Sequence, residues 1–415
     1  MHVLMLSDVY FPRINGVSTS IATFRRSLES IGTRCTLVAP SYRERNEESD
    51  SAPEPDVHRV PAHRIPFDPE DRLMSARAFG RVLAGIDYRD IDLVHVQTPF
   101  LAHRDGVRYA RRHGLPVVET YHTHFEEYFH HYLPWLPRRA LRAATRTFSR
   151  RQCNALDAVI VPSPAMREVL LSYGVERPVE VLPTGLDLAQ FREGDGARFR
   201  RSHGIAPERP VLVVVSRVAH EKNLDFLVHV VERVRVEFPE LLLVVAGEGP
   251  ARPHLQSLVA RRGLDGNVLF VGYLERGPAL NDCYRAGDVF VFASRSETQG
   301  LVLLEAMALG VPVVALAELG TRGIVGPGRG AVAAPDEVAG FAKEVAALLR
   351  DPSRRAALSA EATVFAGEWN TDFVATRLNA LYAAVSAAAA PLRRLPGPPP
   401  QAAAAVASGA DARIR

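Results

Sequence analysis

The chain has 415 residues, 47% of them apolar, with 50 Lys and Arg against 47 Asp and Glu and a formal net charge of +3. That length accommodates two domains of ordinary size, each able to bury a core, and the near balance of charge gives no basis for nucleic-acid binding by the whole chain. Cys35, Cys153 and Cys283 are the three cysteines; far apart and in no CxxC pair, they suit a reducing cytosol better than a disulfide framework or a zinc site. The opening HVLMLS reaches Asp8 without a basic region or a cleavage site, so it reads as a first core strand rather than a signal peptide. No apolar run is long enough to span a bilayer.

Short β-branched runs then alternate with helical segments. The first half holds HVLMLS, CTLVAP from Cys35, LVHVQ from Leu93, VVET from Val117 and AVIVPS from Ala158. The second half holds VLVVVS from Val211, LLLVVAG from Leu241, VLFVG from Val268, VFVFAS from Val289 and VPVVAL from Val311. Near-continuous apolar strands separated by helices predict parallel sheets covered on both faces. The series breaks once, at the polar LPTGLDLAQFREGDG stretch, which predicts an interdomain linker. Two doubly wound α/β domains facing across a cleft follow, with ligands at the carboxyl ends of the strands. The expected boundaries are residues 1–185, 186–368, a helix at 369–386 crossing back to the first domain, and an Ala/Pro-rich disordered tail at 387–415.

Four segments carry candidate chemistry. In SRSETQGLVLLEAMALG, Glu297 lies in the turn after a strand and Glu305 eight residues later in an apolar helix. The free amides of the helix start form an anion site, and a carboxylate in so apolar a helix needs hydrogen-bond partners, which ribose hydroxyls would supply. In VVVSRVAHEKNLDF, Arg217 and Lys222 follow a buried strand and suit a diphosphate clamp that stabilises a leaving nucleotide; a surface pairing of Lys222 with Glu221 is the competing reading. Asn15-Gly16 turns the backbone ahead of a helix, exposing amides to phosphate or sugar oxygens, although a plain turn explains it equally well. TYHTHFEEYFHH places His122 and His124 at a strand end with Glu126, Glu127, His130 and His131 behind them; the order does not fit a zinc helix, and a polar cleft wall is the better reading. GEGPAR at 247–252 lacks the third glycine of a dinucleotide fingerprint, and Asp90-Ile91-Asp92 precedes a strand and reads as surface charge.

Together these pieces resemble glycosyltransferase family 4, retaining enzymes of the GT-B fold. The resemblance rests on Glu297 and Glu305, the Arg217/Lys222 pair, Asn15-Gly16, the TYHT containing His122, LPTGLD, and FVGYL at 270–274. It implies that Arg217 and Lys222 hold the donor diphosphate and that Glu305 holds the ribose. Glu297 with the backbone of Gly300 and Leu301 would hold sugar and phosphate. Gly272, Tyr273 and Leu274 would lie by the base, and Gly16 and His122 on the other side of the reaction centre. The implied donor is a UDP- or GDP-sugar, with no metal and no further cofactor. The sequence departs from the family pattern after Ala315, where ELGTRGIVGPGRGAV replaces the usual glycine-proline-glutamate loop.

The segment at 137–154 carries Arg138, Arg139, Arg142, Arg146, Arg150 and Arg151 and no acid. As a helix it places Leu141, Ala144 and Phe148 on one face and arginines along another, which suits either an anionic membrane surface or an ordinary solvated face. This stretch and the ETQGLVLLEAMALG wording are similar to the lipid glycosyltransferases that build glycosyl-diacylglycerols. The expectation is therefore a cytoplasmic enzyme, peripheral on the inner membrane face, moving a hexose (glucose from UDP-glucose) to a diacylglycerol-type lipid. Alternatives are a mannosyl- or other hexosyltransferase acting on a phosphoinositide, a polysaccharide or a small molecule, a nucleotide-sugar epimerase, and a non-catalytic binding protein.

Overall fold

The structure, a computed structural model, describes residues 1–42, 54–65, 68–124 and 137–393. In these residues a seven-stranded sheet runs in the spatial order Val57–Val60, Arg34–Pro40, His2–Leu6, Leu93–Val96, Val117–Thr120, Ala158–Val161, Val179–Val181. Every neighbouring pair is parallel. A six-stranded sheet follows in the order Val268–Gly272, Leu242–Ala246, Val211–Val215, Val289–Phe292, Val313–Leu316, Ala331–Ala334, again all parallel. These are the two Rossmann-like domains of a GT-B fold.

The continuous apolar runs have a direct cause. In the first sheet Leu4, Leu6, Val94 and Val96 feed one core while Val3, Met5, Leu93 and Val118 feed another on the opposite face. Alternate side chains are thus buried on both sides, and most strand positions are apolar, with Thr36, His95, Glu119 and Thr120 as buried polar exceptions. In each sheet the strand order reverses once. The reversals lie between His2–Leu6 and Leu93–Val96 in the first sheet and between Val211–Val215 and Val289–Phe292 in the second. Ligand crevices open at such switch points.

Four of the expected helices matter for the site: Gly16–Ser30, Arg138–Asn154, Leu301–Ala308 and Thr371–Arg393. The strands Val57–Val60, Val179–Val181 and Ala331–Ala334 were not anticipated; each is an edge strand of three or four residues, too short to show a pattern. An antiparallel pair, Ala62–Ile65 with Asp68–Met74, was also not anticipated, because DPEDRLM carries none of the apolar alternation of a half-buried strand.

The chain crosses between domains twice at one place. Leu182 belongs to the first core and Leu186 to the second. The Leu186 N–H donates to the Trp369 carbonyl at 2.6 Å, and Leu186 bridges Asn370 on the returning strand. Gly185 makes this possible, since a Cβ there would lie 2.8 Å from Thr371 Cα and 3.0 Å from the Asn370 oxygen. The returning helix lays Val374, Leu378 and Tyr382 into the core formed by Val3, Met5, Ile21 and Phe24. It continues to Arg393, past the expected boundary at 386. Alanine is the strongest helix former, and the Ala run that suggested a tail by composition prolongs the helix instead. Residues 394–415 of that tail lie outside the described residues. No helix among the described residues is long and apolar enough to cross a membrane.

Gly185→Ala forces the two crossing segments apart. It should lower unfolding stability by about 1–3 kcal/mol, the usual cost of overpacking, as read by urea denaturation; an unchanged midpoint would show that the crossing has room to spare.

Candidate active site

The strand Val211–Val215 ends beneath Arg217, and a 3-10 turn at His220–Lys222 follows. The competing reading paired Lys222 with Glu221. Instead Glu221 lies 3.8 Å from Arg217 Nη1, and Lys222 Nζ donates to Glu297 Oε2 at 2.6 Å with both side chains half-buried. Asn223 takes a left-handed turn (φ 56°) and donates its side-chain amide to the Ala293 carbonyl at 3.0 Å, while Ser294 Oγ donates to the Glu221 carbonyl at 3.1 Å. These bonds lace together the two loops that flank the switch point. The GEGP near-fingerprint lies underneath as a packing surface. A Cβ at Gly247 would fall 1.9 Å from the Ser216 carbonyl, and one at Gly249 2.5 Å from that of Val218.

Gly300 (φ 94°) turns the chain into the helix Leu301–Ala308, leaving the first-turn amides at the cleft. The turn holding Glu297 is supported by the segment that departs from the family pattern. The Gly320 N–H donates to the Glu297 carbonyl at 2.9 Å, and a Cβ at Gly320 would fall 2.0 Å from the Thr298 oxygen. Next to it, Leu319 (φ 46°) packs on the core of the first domain. The unusual ELGTRG loop is therefore a backbone brace and a domain contact.

Glu305 is 2% exposed. The expectation that this carboxylate depends on ribose for hydrogen bonds is corrected here: the protein itself supplies partners. Tyr284, fully buried, donates its hydroxyl to Oε2 at 2.7 Å, and the Arg276 guanidinium pairs with Oε1. The Glu305 charge holds the Arg276 pKa above its ordinary value, and burial pushes the Tyr284 phenol up. Ionised carboxylates have about four acceptor positions, so two partners leave capacity for a ligand. Arg276 sits in the loop after Gly272, Tyr273 and Leu274, ahead of Gly277 (φ 116°). Tyr273 is exposed, Leu274 half-buried, and Gly272 (φ 74°) faces the Glu248 carboxylate, which pairs with Arg252.

Across the cleft, Asn15 caps the helix Gly16–Ser30 by accepting from the Ser18 N–H at 2.8 Å. Gly16 is exposed, and a Cβ there would meet nothing within 4 Å. At the first switch point Asp8 accepts from Thr98 Oγ1 at 2.8 Å and from the amides of Leu101 and Ala102. Burial still raises its pKa to about 6. His122 Nε2 lies 3.1 Å from Gln97 Oε1, and burial drives its pKa down to about 3, so it is a neutral imidazole at pH 7. His124 bonds Tyr173 instead, at 3.3 Å; Glu126, Glu127, His130 and His131 lie outside the described residues.

Two contacts bring the halves of the site together. Thr298 Oγ1 donates to the His122 carbonyl at 2.8 Å. The buried Gln299 amide accepts from the Thr184 N–H at 2.9 Å and donates to its carbonyl at 2.8 Å, and Thr184 Oγ1 lies 2.7 Å from Ser20 Oγ. Glu297, Arg217 and Lys222 thus converge at one switch point, and His122 meets them through Thr298. Glu305 lies inside the helix Leu301–Ala308 and is tied through Arg276 to the loop that follows Gly272, Tyr273 and Leu274, while Gly16 opens the helix Gly16–Ser30. Sequence reasoning missed Asp8, Gln97, Arg276, Thr298, Gln299 and Gly320. Of these, Asp8 alone had a local signal, a polar residue at the end of a buried strand.

Residues 14–190 match the family described as Glycosyltransferase Family 4, and residues 195–365 match Glycosyl transferases group 1. An alpha-monoglucosyldiacylglycerol synthase of Streptococcus pneumoniae is 32% identical over 321 residues, 76% of this chain and 71% of that one. The chain belongs to glycosyltransferase family 4. A GDP-mannose-dependent alpha-mannosyltransferase of Mycobacterium tuberculosis is 29% identical over 371 residues, 89% of this chain and 93% of that one. The structure of a sucrose-phosphate synthase from Thermosynechococcus elongatus superimposes with a TM-score of 0.77 at 20% identity, over 94% of this chain and all of the other. The family is one of glycosyltransferases, so the cluster of side chains just described is the place to look for its chemistry.

In this family 4 enzyme the helix Arg138–Asn154 rests on small residues, with Thr145, Ser149 and Cys153 buried and Tyr121 Oη 2.7 Å from Ser149 Oγ. Arg139, Arg142, Ala144, Arg146, Arg150 and Arg151 are exposed, and Phe148 stands among them at 38% exposure.

Arg276→Ala leaves the buried Glu305 charge without its cation. Breaking such a pair costs about 3–5 kcal/mol, and adding Glu305→Gln should return part of that loss. Denaturation of the single and double variants measures both; equal stability of the two would mean that the ion pair is solvated rather than buried.

Proposed function

We propose that the chain is a retaining hexosyltransferase that moves glucose from UDP-glucose to a diacylglycerol-type lipid at the inner face of a membrane. The observation that carries the reading is the pairing of Lys222 with Glu297 in the turn ahead of the helix start at Leu301, with Arg217 in the same loop as Lys222 and His122 joined to that turn through Thr298. Two cations and free helix amides suit a diphosphate, and they are preorganised where negative charge grows as the nucleotide leaves. In this reading Lys222 exchanges Glu297 for a phosphate oxygen when donor binds, releasing Glu297 toward the sugar. Glu305, already oriented by Tyr284, takes the ribose with its remaining acceptor positions, and Tyr273 and Leu274 border the base. No group in this arrangement is proposed as a covalent nucleophile. Retention follows from attack on the face the leaving phosphate vacates, with that phosphate taking the acceptor proton.

The lipid acceptor is supported by the similarity to the alpha-monoglucosyldiacylglycerol synthase and by the arginines with Phe148 exposed on Arg138–Asn154. Such a face suits an anionic leaflet, where each Arg adds about 1 kcal/mol. Mannose transfer from GDP-mannose is the second reading, favoured by the longer match to the mannosyltransferase.

Purified chain should be incubated with UDP-glucose, UDP-galactose or GDP-mannose and with vesicles of phosphatidylglycerol with or without diacylglycerol. Glucosyl-diacylglycerol formed from UDP-glucose alone is the expected product. Transfer from GDP-mannose, or only to soluble acceptors, would overturn the donor or the lipid assignment respectively. Conversion of the donor without any acceptor would identify an epimerase.

Arg142→Glu with Arg146→Glu should weaken vesicle sedimentation at least tenfold, since the loss of two surface arginines alone is worth about 2 kcal/mol and a factor of ten is about 1.4 kcal/mol. UDP affinity, measured by calorimetry, should not change. Equal losses in both would remove the helix from the membrane contact.

A further inference from the structure

His122 is the terminus of a buried polar chain that begins on the helix returning from the second domain. Tyr382 is fully buried, and its Oη lies 2.6 Å from His95 Nδ1. Gln97 Nε2 lies 3.1 Å from the same nitrogen, and Gln97 Oε1 lies 3.1 Å from His122 Nε2. His95 closes on Thr120 Oγ1 through Nε2 at 2.7 Å. His95 and Gln97 are 0% and 1% exposed, alternating along the strand Leu93–Val96 and its end, where the other strand residues Leu93, Val94 and Val96 are apolar. Burying this many polar groups in an apolar sheet costs stability unless every one is bonded, and packing alone would be served as well by Leu and Phe.

The donor and acceptor roles follow from the chain's order. Gln97 presents its NH₂ to His95, so His95 Nδ1 is an acceptor and its Nε2 carries the proton given to Thr120 Oγ1. Tyr382 Oη and the Gln97 NH₂ share the single lone pair of Nδ1 in a bifurcated bond, the Tyr382 contact being the shorter. At its other end Gln97 offers only a carbonyl, so His122 Nε2 must carry the hydrogen and its Nδ1 keeps a lone pair. Resting on the reading of His122 as a residue of the transfer site, we propose that Tyr382, His95 and Gln97 are positioning residues that hold His122 in the neutral Nε2–H tautomer. Its Nδ1 thereby becomes an obligate hydrogen-bond acceptor for a hydroxyl of the bound sugar. Burial drives both imidazoles down to about 3, which keeps this polarity from being scrambled by protonation at neutral pH. Because Tyr382 lies on Thr371–Arg393, the tautomer is set only when that helix is docked, and the His122 carbonyl, held by Thr298 Oγ1, passes the same constraint to the Glu297 turn.

The test uses the full chain labelled with ¹⁵N-histidine, with long-range ¹H–¹⁵N spectra assigned by loss of the His122 signal in His122→Ala. The wild type should show His122 as the Nε2–H tautomer at pH 7. Gln97→Leu and Tyr382→Phe should move it toward a mixture and lower kcat roughly 10- to 100-fold, the scale of a misplaced reacting group, with UDP affinity within twofold of wild type. Gln97→Glu, which still accepts from Nε2–H, should retain that tautomer at His122 and more activity than Gln97→Leu. An Nδ1–H tautomer in the wild type would overturn the proposal. So would a Gln97→Leu variant with unchanged tautomer, or parallel loss of kcat, UDP affinity and melting temperature, which marks a purely structural role. The spectra need no turnover, so they stand even if no donor is consumed and the transferase reading itself fails.

Discussion

Gln299 joins the two halves of this molecule beside the turn that carries Glu297. Its side-chain amide makes both of its bonds to one residue, the amide and carbonyl of Thr184 in the linker, and Thr184 in turn meets Ser20 of the first helix. Buried polar groups of this kind tolerate no slack, because a broken bond leaves an unsatisfied donor and acceptor out of reach of water. The turn that carries Glu297 and Thr298 is thereby registered to the first domain. The same turn reaches His122 through the bond from Thr298 Oγ1 to its carbonyl.

Charge is distributed to match. Positive groups at the cleft are half-buried and already face acids: Lys222 donates to Glu297, Arg276 pairs with Glu305, and Arg217 lies 3.8 Å from Glu221. An anionic ligand entering such a site exchanges one partner for another instead of meeting bare charges. The desolvation cost of gathering these cations is offset within the protein, before any ligand arrives. Glu305 shows the same logic in a drier setting, where a buried tyrosine and an arginine orient the carboxylate and leave acceptor capacity over. On the N-terminal side the two buried imidazoles are neutral. His95 and His122 are held uncharged by burial, and the Tyr382–His95–Gln97–His122 chain carries orientation rather than charge.

Ten of the parallel strands were legible because both sheet faces are covered, which writes an unbroken apolar run into each. The edge strands were not, since Val57–Val60, Val179–Val181 and Ala331–Ala334 are three or four residues long and half exposed. Arg217, Lys222, Glu297 and Glu305 stood out as charges at the ends of apolar runs. Gln97 and Gln299 did not, because a single amide in a sequence looks the same whether it is solvated or clamps two domains. The ELGTRG loop read as a departure from a pattern, yet its Gly320 proves to be the place where a backbone must approach Thr298 too closely for any side chain.

Local chemistry was thus settled by the sequence alone: two parallel-sheet domains from strand composition, the switch-point cations and acids from their spacing, and the crossing from the polar break at LPTGLD. Only the tertiary structure decided the partners. Lys222 binds Glu297 rather than its neighbour Glu221, Glu305 receives Arg276 and Tyr284 from loops far away in the chain, and Tyr382 reaches His95 across 287 positions. The reason is physical. Secondary structure is specified by neighbours a few residues apart, whereas satisfaction of a buried polar group depends on which distant donors the packed core brings within about 3 Å.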